Sequence, residues 1–278
     1  MMAAQNLTVS KLSEALGAEV GGVDLAETLD DATIADIRQA LLDHGVIFFR
    51  NQHLDPASLL ALARRFGTPA PYPFVAGTEF PEVVEVRKEP DEKVNFGGLW
   101  HTDTSYMEKP PLGSILYAVE VPPQGGDTLF SCMYRAFDAL PDDLKNKLDG
   151  KFGINSSRKA AAAVTRTARI DDSPGEKKDE VFHSRHPIVR THPETGKKSL
   201  YCSDAHTVAI EGMDESESAD ILNQLYAEQQ REEFIYRFQW QRGSVAFWDN
   251  RCTQHNAMND YHGHRRVMLR VTIEGDVP

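Results

Sequence analysis

The stretch Arg265-Arg266-Val267-Met268-Leu269-Arg270-Val271-Thr272-Ile273 sets the fold class. Val267, Leu269, Val271 and Ile273 alternate with Arg266, Met268, Arg270 and Thr272. Successive side chains of a strand leave opposite faces, so this period of two predicts a strand with one apolar face. The other face carries two arginines, about 13 Å apart at roughly 3.3 Å per residue. That span suits two anion sites flanking one cavity, because a guanidinium grips a carboxylate with two parallel bonds and keeps its charge. The same pattern also fits a half-exposed edge strand with solvated arginines.

Working toward the N-terminus, short strand-like runs alternate with turn residues: Ser244 to Trp248, Ser199 to Tyr201, Ile188 to Thr191, Thr128 to Ser131 and Ser114 to Val121. Strands at this density predict a sandwich or barrel. Helical patterns interrupt them near Tyr134 to Leu148 and Glu215 to Gln229. In the first third, Asp30 and Asp31 precede Ile34, Ile37 and Leu41 at helical spacing, and Gly45 stops that helix. Val46 to Phe49 (VIFF) reads as a buried strand. A second helix starts near Pro56 and ends at Gly67, Thr68 to Gly77 is a loop, and Val83 to Val86 resumes strand character. Arg158 to Glu180 is polar and without a period, hence a lid or a surface loop. No linker divides residues 1–278, so one domain is expected.

Composition narrows the function classes. The 278 residues carry a net charge of −12. An acidic surface argues against nucleic-acid binding, which needs a cationic face. It leaves small anionic ligands open, since a local arginine outweighs distant charge under screening. Cys132, Cys202 and Cys252 are an odd, scattered set, which fits a reducing compartment better than a disulfide framework. Met1 to Leu16 lacks the basic and apolar regions of a signal peptide, and no apolar run reaches membrane-span length. A cytoplasmic location is expected.

Three further signals carry chemistry. In Trp100-His101-Thr102-Asp103, a His and an Asp two apart on an extended segment point to one side and can share a divalent transition metal. His255 follows the strand that ends at Trp248, and a third ligand there would complete a two-His, one-carboxylate triad with open coordination positions. Gly125-Gly126-Asp127-Thr128 reads as a turn into a strand, with a hydroxyl at Thr128 that can meet a carboxylate. Each of these alone also fits an ordinary surface or core role.

Taken together and in order, the blocks GAEVGGVDL, VIFFRNQ, ARRFG, WHTDTSY, PPQGGDTLF, HPIVRTHPETGKKSLY, WDNRCTQH and RRVMLRVTI resemble the taurine / 2,4-dichlorophenoxyacetate dioxygenase family, from near Gly17 to Asp276. The resemblance implies a mainly β fold with flanking helices, a double-stranded β-helix or jelly roll. It implies Fe(II) held by His101, Asp103 and His255, with 2-oxoglutarate and O₂ as co-substrates. Arg266 and Thr128 would take the distal carboxylate of 2-oxoglutarate, Arg270 the anionic head of the substrate, and Trp248 would be a substrate-binding aromatic wall near the metal. The implied reaction hydroxylates a small anionic organic substrate, a sulfonate, sulfate or aryloxyalkanoate-like acid, with release of succinate and CO₂. Homo-oligomers, dimers or tetramers, are common among such enzymes. The chain departs from a taurine pocket at Tyr72, Val75, Gly97 and His206, with Tyr72 and His206 expected to line the substrate site. Two other readings fit the same residues: a non-catalytic jelly-roll anion sensor, and a zinc hydrolase with a His₂Asp site.

Overall fold

A computed structural model describes residues 7–74, 79–159 and 180–278. Val75, and residues 160–179 of the expected lid or loop, lie outside these. The first third holds β1 (Thr8–Lys11), β2 (Ala18–Gly21), α1 (Asp31–His44), β3 (Val46–Phe49), α2 (Pro56–Arg64), β4 (Pro69–Ala70) and β5 (Val83–Lys88). Next come β6 (Gly113–Glu120), β7 (Thr128–Cys132), α3 (Met133–Asp138), α4 (Asp142–Leu148), β8 (Phe152–Ser156), β9 (His183–Pro187), β10 (Val189–Thr191), β11 (Lys198–Leu200) and β12 (Thr207–Ile210). The last third holds α5 (Glu215–Gln229), a single 3₁₀ turn, β13 (Ile235–Phe238), β14 (Val245–Asp249), β15 (Thr253–Ala257) and β16 (Arg266–Ile273).

Local chemistry fixes the helix ends. Asp30 caps α1 by accepting from the Thr33 amide at 2.7 Å, and Gly45 closes it at φ 71° with its amide on Leu41 O. Asp55 and Ser58 form a reciprocal capping box on α2, with Pro56 in the first turn. The helical pattern expected over Tyr134 to Leu148 is two helices, because Pro141 cannot continue the first.

The main sheet runs β1-β2-β3-β14-β6-β16-β4, with β5 also paired to β16. A smaller sheet, β13-β7-β15, lies against one face of it. Period-two sorting shows in the two central strands. Ile47, Phe49, Val245 and Phe247 point outward into a core shared with α1 and α2. Val46, Phe48, Ala246 and Trp248 point inward and meet Phe130 and Phe238 of the smaller sheet. Phe48 stacks on Phe238 at 3.9 Å between centroids. Central strands with both faces covered read as unbroken apolar runs, which is why VIFF carries no polar position. A third cluster packs α3, α4 and α5 against β10 and β11. Two sheets closed face to face with helices outside are a jelly roll.

β16 is not an edge strand: β6 flanks it on one side, β5 and β4 on the other. Leu269, Val271 and Ile273 face the helices, while Arg266 and Arg270 point inward and are only 5% and 4% exposed. The solvated-arginine alternative is therefore excluded. The expected loop Thr68 to Gly77 also contributes β4, whose two residues pair with Thr272 and Ile273.

Candidate active site

β15 and the segment before β6 bring the first cluster together. His101 and His255 form an antiparallel bridge, each amide donating to the other's carbonyl, at 3.1 and 2.9 Å. Their rings lie 4.1 Å apart. Asp103 is not extended as expected but opens a turn, with Thr104 at φ 39°. That turn swings its carboxylate back over the histidines: Oδ1 lies 3.8 Å from His101 Nε2 and 3.9 Å from His255 Nε2. All three residues are buried.

The donor set fits a transition metal. His101 Nδ1 lies 2.6 Å from Leu99 O, a contact that requires the proton on Nδ1 and leaves the Nε2 lone pair facing the cluster. Burial, together with the charge of His101, pushes His255 down to about 3 against the pull of Asp103, so its imidazole is neutral. Burial works to raise Asp103, but His255, Arg270, His101 and the Ser114 hydroxyl outweigh it and hold the carboxyl well below its usual range. Two imidazoles and one carboxylate within reach of a single ion match Fe(II) or a similar divalent metal.

A second His-Asp-Cys group, His192, Asp249 and Cys252, is equally tight but differs in kind. His192 Nδ1 accepts from the amides of Glu194 and Thr195, and its Nε2 donates to Asp249 at 3.0 Å. Arg251 takes both Asp249 oxygens. Both ring nitrogens and both carboxylate oxygens are thus engaged, and burial pushes the Cys252 thiol up and keeps it protonated, so the group is a hydrogen-bonded network rather than an open cation site.

Two lobes open on the first cluster and share Phe96, Gly97, His101 and Arg270. One is lined by Thr128, Trp248, His255 and Arg266. Arg266 is buried here, and its Nε and Nη2 have no hydrogen-bond partner among the described residues. Its nearby acid, Asp127, is bound instead by Arg237 at 2.6 Å. Thr128 Oγ1 accepts from Trp240 Nε1 at 2.9 Å, so its own O–H remains to donate. A buried guanidinium with open donors is costly unless an anion completes it. The turn before Thr128 needs its glycines: Gly125 sits at φ 73°, and a Cβ there would come 2.6 Å from Asp260 Oδ1.

The other lobe is lined by Tyr72, Tyr106, Asp103, His206 and Arg270. Tyr72 and Phe96 place their rings 5.1 and 5.5 Å from the Arg270 guanidinium. His206 Nδ1 lies 3.1 Å from Ser105 Oγ. Gly97, at φ 78°, lies against the His101 ring, where a Cβ would be 3.3 Å from Cε1. Trp248 lines the Arg266 lobe rather than this one, and its Nε1 donates to Asn250 Oδ1 at 2.9 Å.

The structure thus gathers the candidate metal, 2-oxoglutarate and substrate residues read from the sequence, except Val75, around one pair of lobes. It adds residues that the sequence did not flag. Asn250, inside the WDNRCTQH block, and Ser114, at the start of β6, both reach Asp103. Phe96 and Tyr106 complete the aromatic lining.

A jelly roll with a two-His, one-carboxylate cluster and a buried, uncompensated arginine beside it defines a 2-oxoglutarate-dependent dioxygenase. Residues 8–272 match the taurine catabolism dioxygenase TauD, TfdA family. A sulfate ester dioxygenase of Pseudomonas putida, described as alpha-ketoglutarate-dependent, is 35% identical over 99% of this chain and 92% of its own. A taurine dioxygenase crystal structure from Burkholderia xenovorans superposes with TM-score 0.83 at 36% identity, covering 98% of this chain and 92% of that one. AAD-2, solved with Mn(II) and N-oxalylglycine, superposes with TM-score 0.82 at 27% identity, covering 98% and 99%. The chain belongs to the taurine catabolism dioxygenase TauD, TfdA family.

Proposed function

We propose that this dioxygenase holds Fe(II) through His101 Nε2, Asp103 Oδ1 and His255 Nε2, and oxidises a sulfate ester or related organic anion with an apolar tail. The observation that carries the reading is the buried Arg266 guanidinium, with two N–H atoms unpartnered among the described residues, in a lobe that opens on the cluster. The distal carboxylate of 2-oxoglutarate would complete Arg266 and accept from Thr128. N-oxalylglycine, which AAD-2 binds with Mn(II), has the same pair of end carboxylates.

When bound, the metal would couple decarboxylation of 2-oxoglutarate to succinate and CO₂ with oxidation of a substrate C–H bond. The chain supplies placement. Arg270 receives the anionic head and fixes which carbon faces the cluster. Tyr72 and Phe96 hold that guanidinium by cation–π contact. Trp248 and Phe130 wall His255 off from water.

The tail follows from the lining. Among the described residues of the Arg270 lobe, Asp103 is the lone carboxylate, and it is already engaged. An ammonium tail, as in taurine, would have no counter-ion. Tyr72, Phe96 and Tyr106 favour an alkyl or aryl tail instead. The sulfate ester activity named for the Pseudomonas putida relative supports this choice.

The test is a panel of alkyl and aryl sulfate esters, sulfonates, aryloxyalkanoates and taurine, scored by succinate release and O₂ uptake with Fe(II) and 2-oxoglutarate. Sulfate esters with apolar tails should lead and taurine should trail. The reading fails if no acid raises succinate above the substrate-free rate and anaerobic protein with Fe(II) and 2-oxoglutarate gives no visible charge-transfer band.

A further inference from the structure

The geometry points to Ser114 and Asn250 as positioning residues that force Asp103 to bind a metal through one oxygen only, which keeps a coordination position open for O₂. This rests on the metal site proposed above. The two oxygens of Asp103 are unequal. Oδ1 faces both histidine Nε2 atoms and Arg270 Nη1, at 3.8, 3.9 and 3.4 Å. Oδ2 faces away and accepts from Ser114 Oγ at 2.7 Å and from Asn250 Nδ2 at 3.4 Å.

The orientation of the Asn250 amide is determined by its neighbours. Its Oδ1 accepts from Trp248 Nε1 at 2.9 Å and from the Asp103 amide at 3.3 Å. Its Nδ2 must then be the end that meets Asp103 Oδ2, and it also donates to Ser114 Oγ at 3.1 Å. Ser114 is itself fixed, as the cross-strand neighbour of both Trp248 and Thr272. Ser114 and Asn250 are completely buried, so water cannot substitute for either donor.

The consequence is one of counting. An octahedral ion has six positions. Three protein atoms and two from 2-oxoglutarate leave one for O₂. A carboxylate with both oxygens on the metal would take that last position. Two donors on Oδ2 hold it off, because rotating it to the metal would cost the buried Ser114 hydroxyl its acceptor and leave Asn250 Nδ2 with Ser114 Oγ alone.

The experiment uses nitric oxide as the O₂ surrogate. Anaerobic protein loaded with Fe(II) and 2-oxoglutarate is titrated with NO and followed by the EPR signal of the high-spin nitrosyl, with Fe(II) affinity measured separately. Ser114→Ala should weaken NO binding about tenfold while Fe(II) affinity holds or rises. Asn250→Ala should shift the same two quantities the same way, and carries the test if Ser114→Ala does not fold. Ser114→Thr keeps the hydroxyl and should restore NO affinity. Unchanged NO affinity in both deletions overturns the inference, as does a joint fall of Fe(II) and NO affinity, which would mean simple loosening. Absence of the 2-oxoglutarate charge-transfer band in the unmodified protein would instead sink the metal site itself.

Discussion

Arg270 Nη1 stands 3.4 Å from Asp103 Oδ1, so the guanidinium that lines the Arg270 lobe also borders the carboxylate of the cluster. The proposed substrate anchor and the proposed metal anchor are therefore neighbours. A head group seated on Arg270 is held within the first few ångströms of the reacting centre, and the carbon next to that head is the one presented.

Arg270→Ala should accordingly raise the substrate KM by about 10- to 100-fold, the loss expected for one or two charge-assisted hydrogen bonds. Affinity for 2-oxoglutarate, read from the charge-transfer band, should stay close to that of the unmodified protein. Arg270→Lys should recover only part of the loss, because an ammonium cannot offer the planar fork. Equal losses for substrate and 2-oxoglutarate would contradict the division of the two lobes.

Arg266→Ala should do the reverse. Its Nε and Nη2 are the unpartnered donors of the other lobe, and removing them should weaken 2-oxoglutarate by roughly 100-fold, about 3 kcal/mol. Titration of 2-oxoglutarate into anaerobic Fe(II) protein reads this directly. A variant that binds 2-oxoglutarate normally would show that the distal carboxylate lies elsewhere. The variant should also be no less stable to urea, since a buried cation without a partner is replaced by a neutral residue.

The fold was legible where periodicity was undiluted. Alternation in β16 showed both its faces, and the apolar runs of β3 and β14 showed strands covered on two sides. Strands such as β9 (HSRHP) and β15 (TQHNA) carry too few apolar residues to announce themselves, because pairing with β8 and β7 stabilises them rather than an apolar core face. The histidines and Asp103 were legible from the WHTDTSY and WDNRCTQH blocks, although the turn at Asp103 was not, since Thr104 has no sequence mark of its left-handed backbone. Ser114 was invisible for a different reason. A serine at a strand start is commonplace, and its role exists only through the cross-strand register that sets it beside Trp248.

His206→Phe should shift selectivity within the substrate class. His206 lines the Arg270 lobe and ties its Nδ1 to Ser105. A phenyl ring keeps the volume and removes both nitrogens, making the wall uniformly apolar. The ratio of kcat/KM for a long-chain over a short-chain sulfate ester should rise about tenfold, the effect of one or two better-buried methylenes. Some stability is lost with the Ser105 bond, about 1 kcal/mol. An unchanged ratio across a homologous series of esters would remove His206 from the surface that the tail touches.

Asp249 should add to the acid sensitivity of the fold. Burial works to raise this carboxyl, but Arg251 and His192, both bonded to it, hold it down from the ordinary 3.8 to about 2. A carboxyl depressed in the folded state contributes stability that is complete above the unfolded value and disappears as pH falls toward the folded one. The contribution is roughly 2 kcal/mol, present above about pH 4 and lost between about pH 4 and pH 2. Asp249→Asn leaves the buried Arg251 without its main partner and should cost about 3–5 kcal/mol at neutral pH. The gap between urea midpoints measured for both proteins from pH 7 downward should therefore narrow only below pH 4. Curves that stay parallel through that window would show that Asp249 is not the group whose protonation opens the fold.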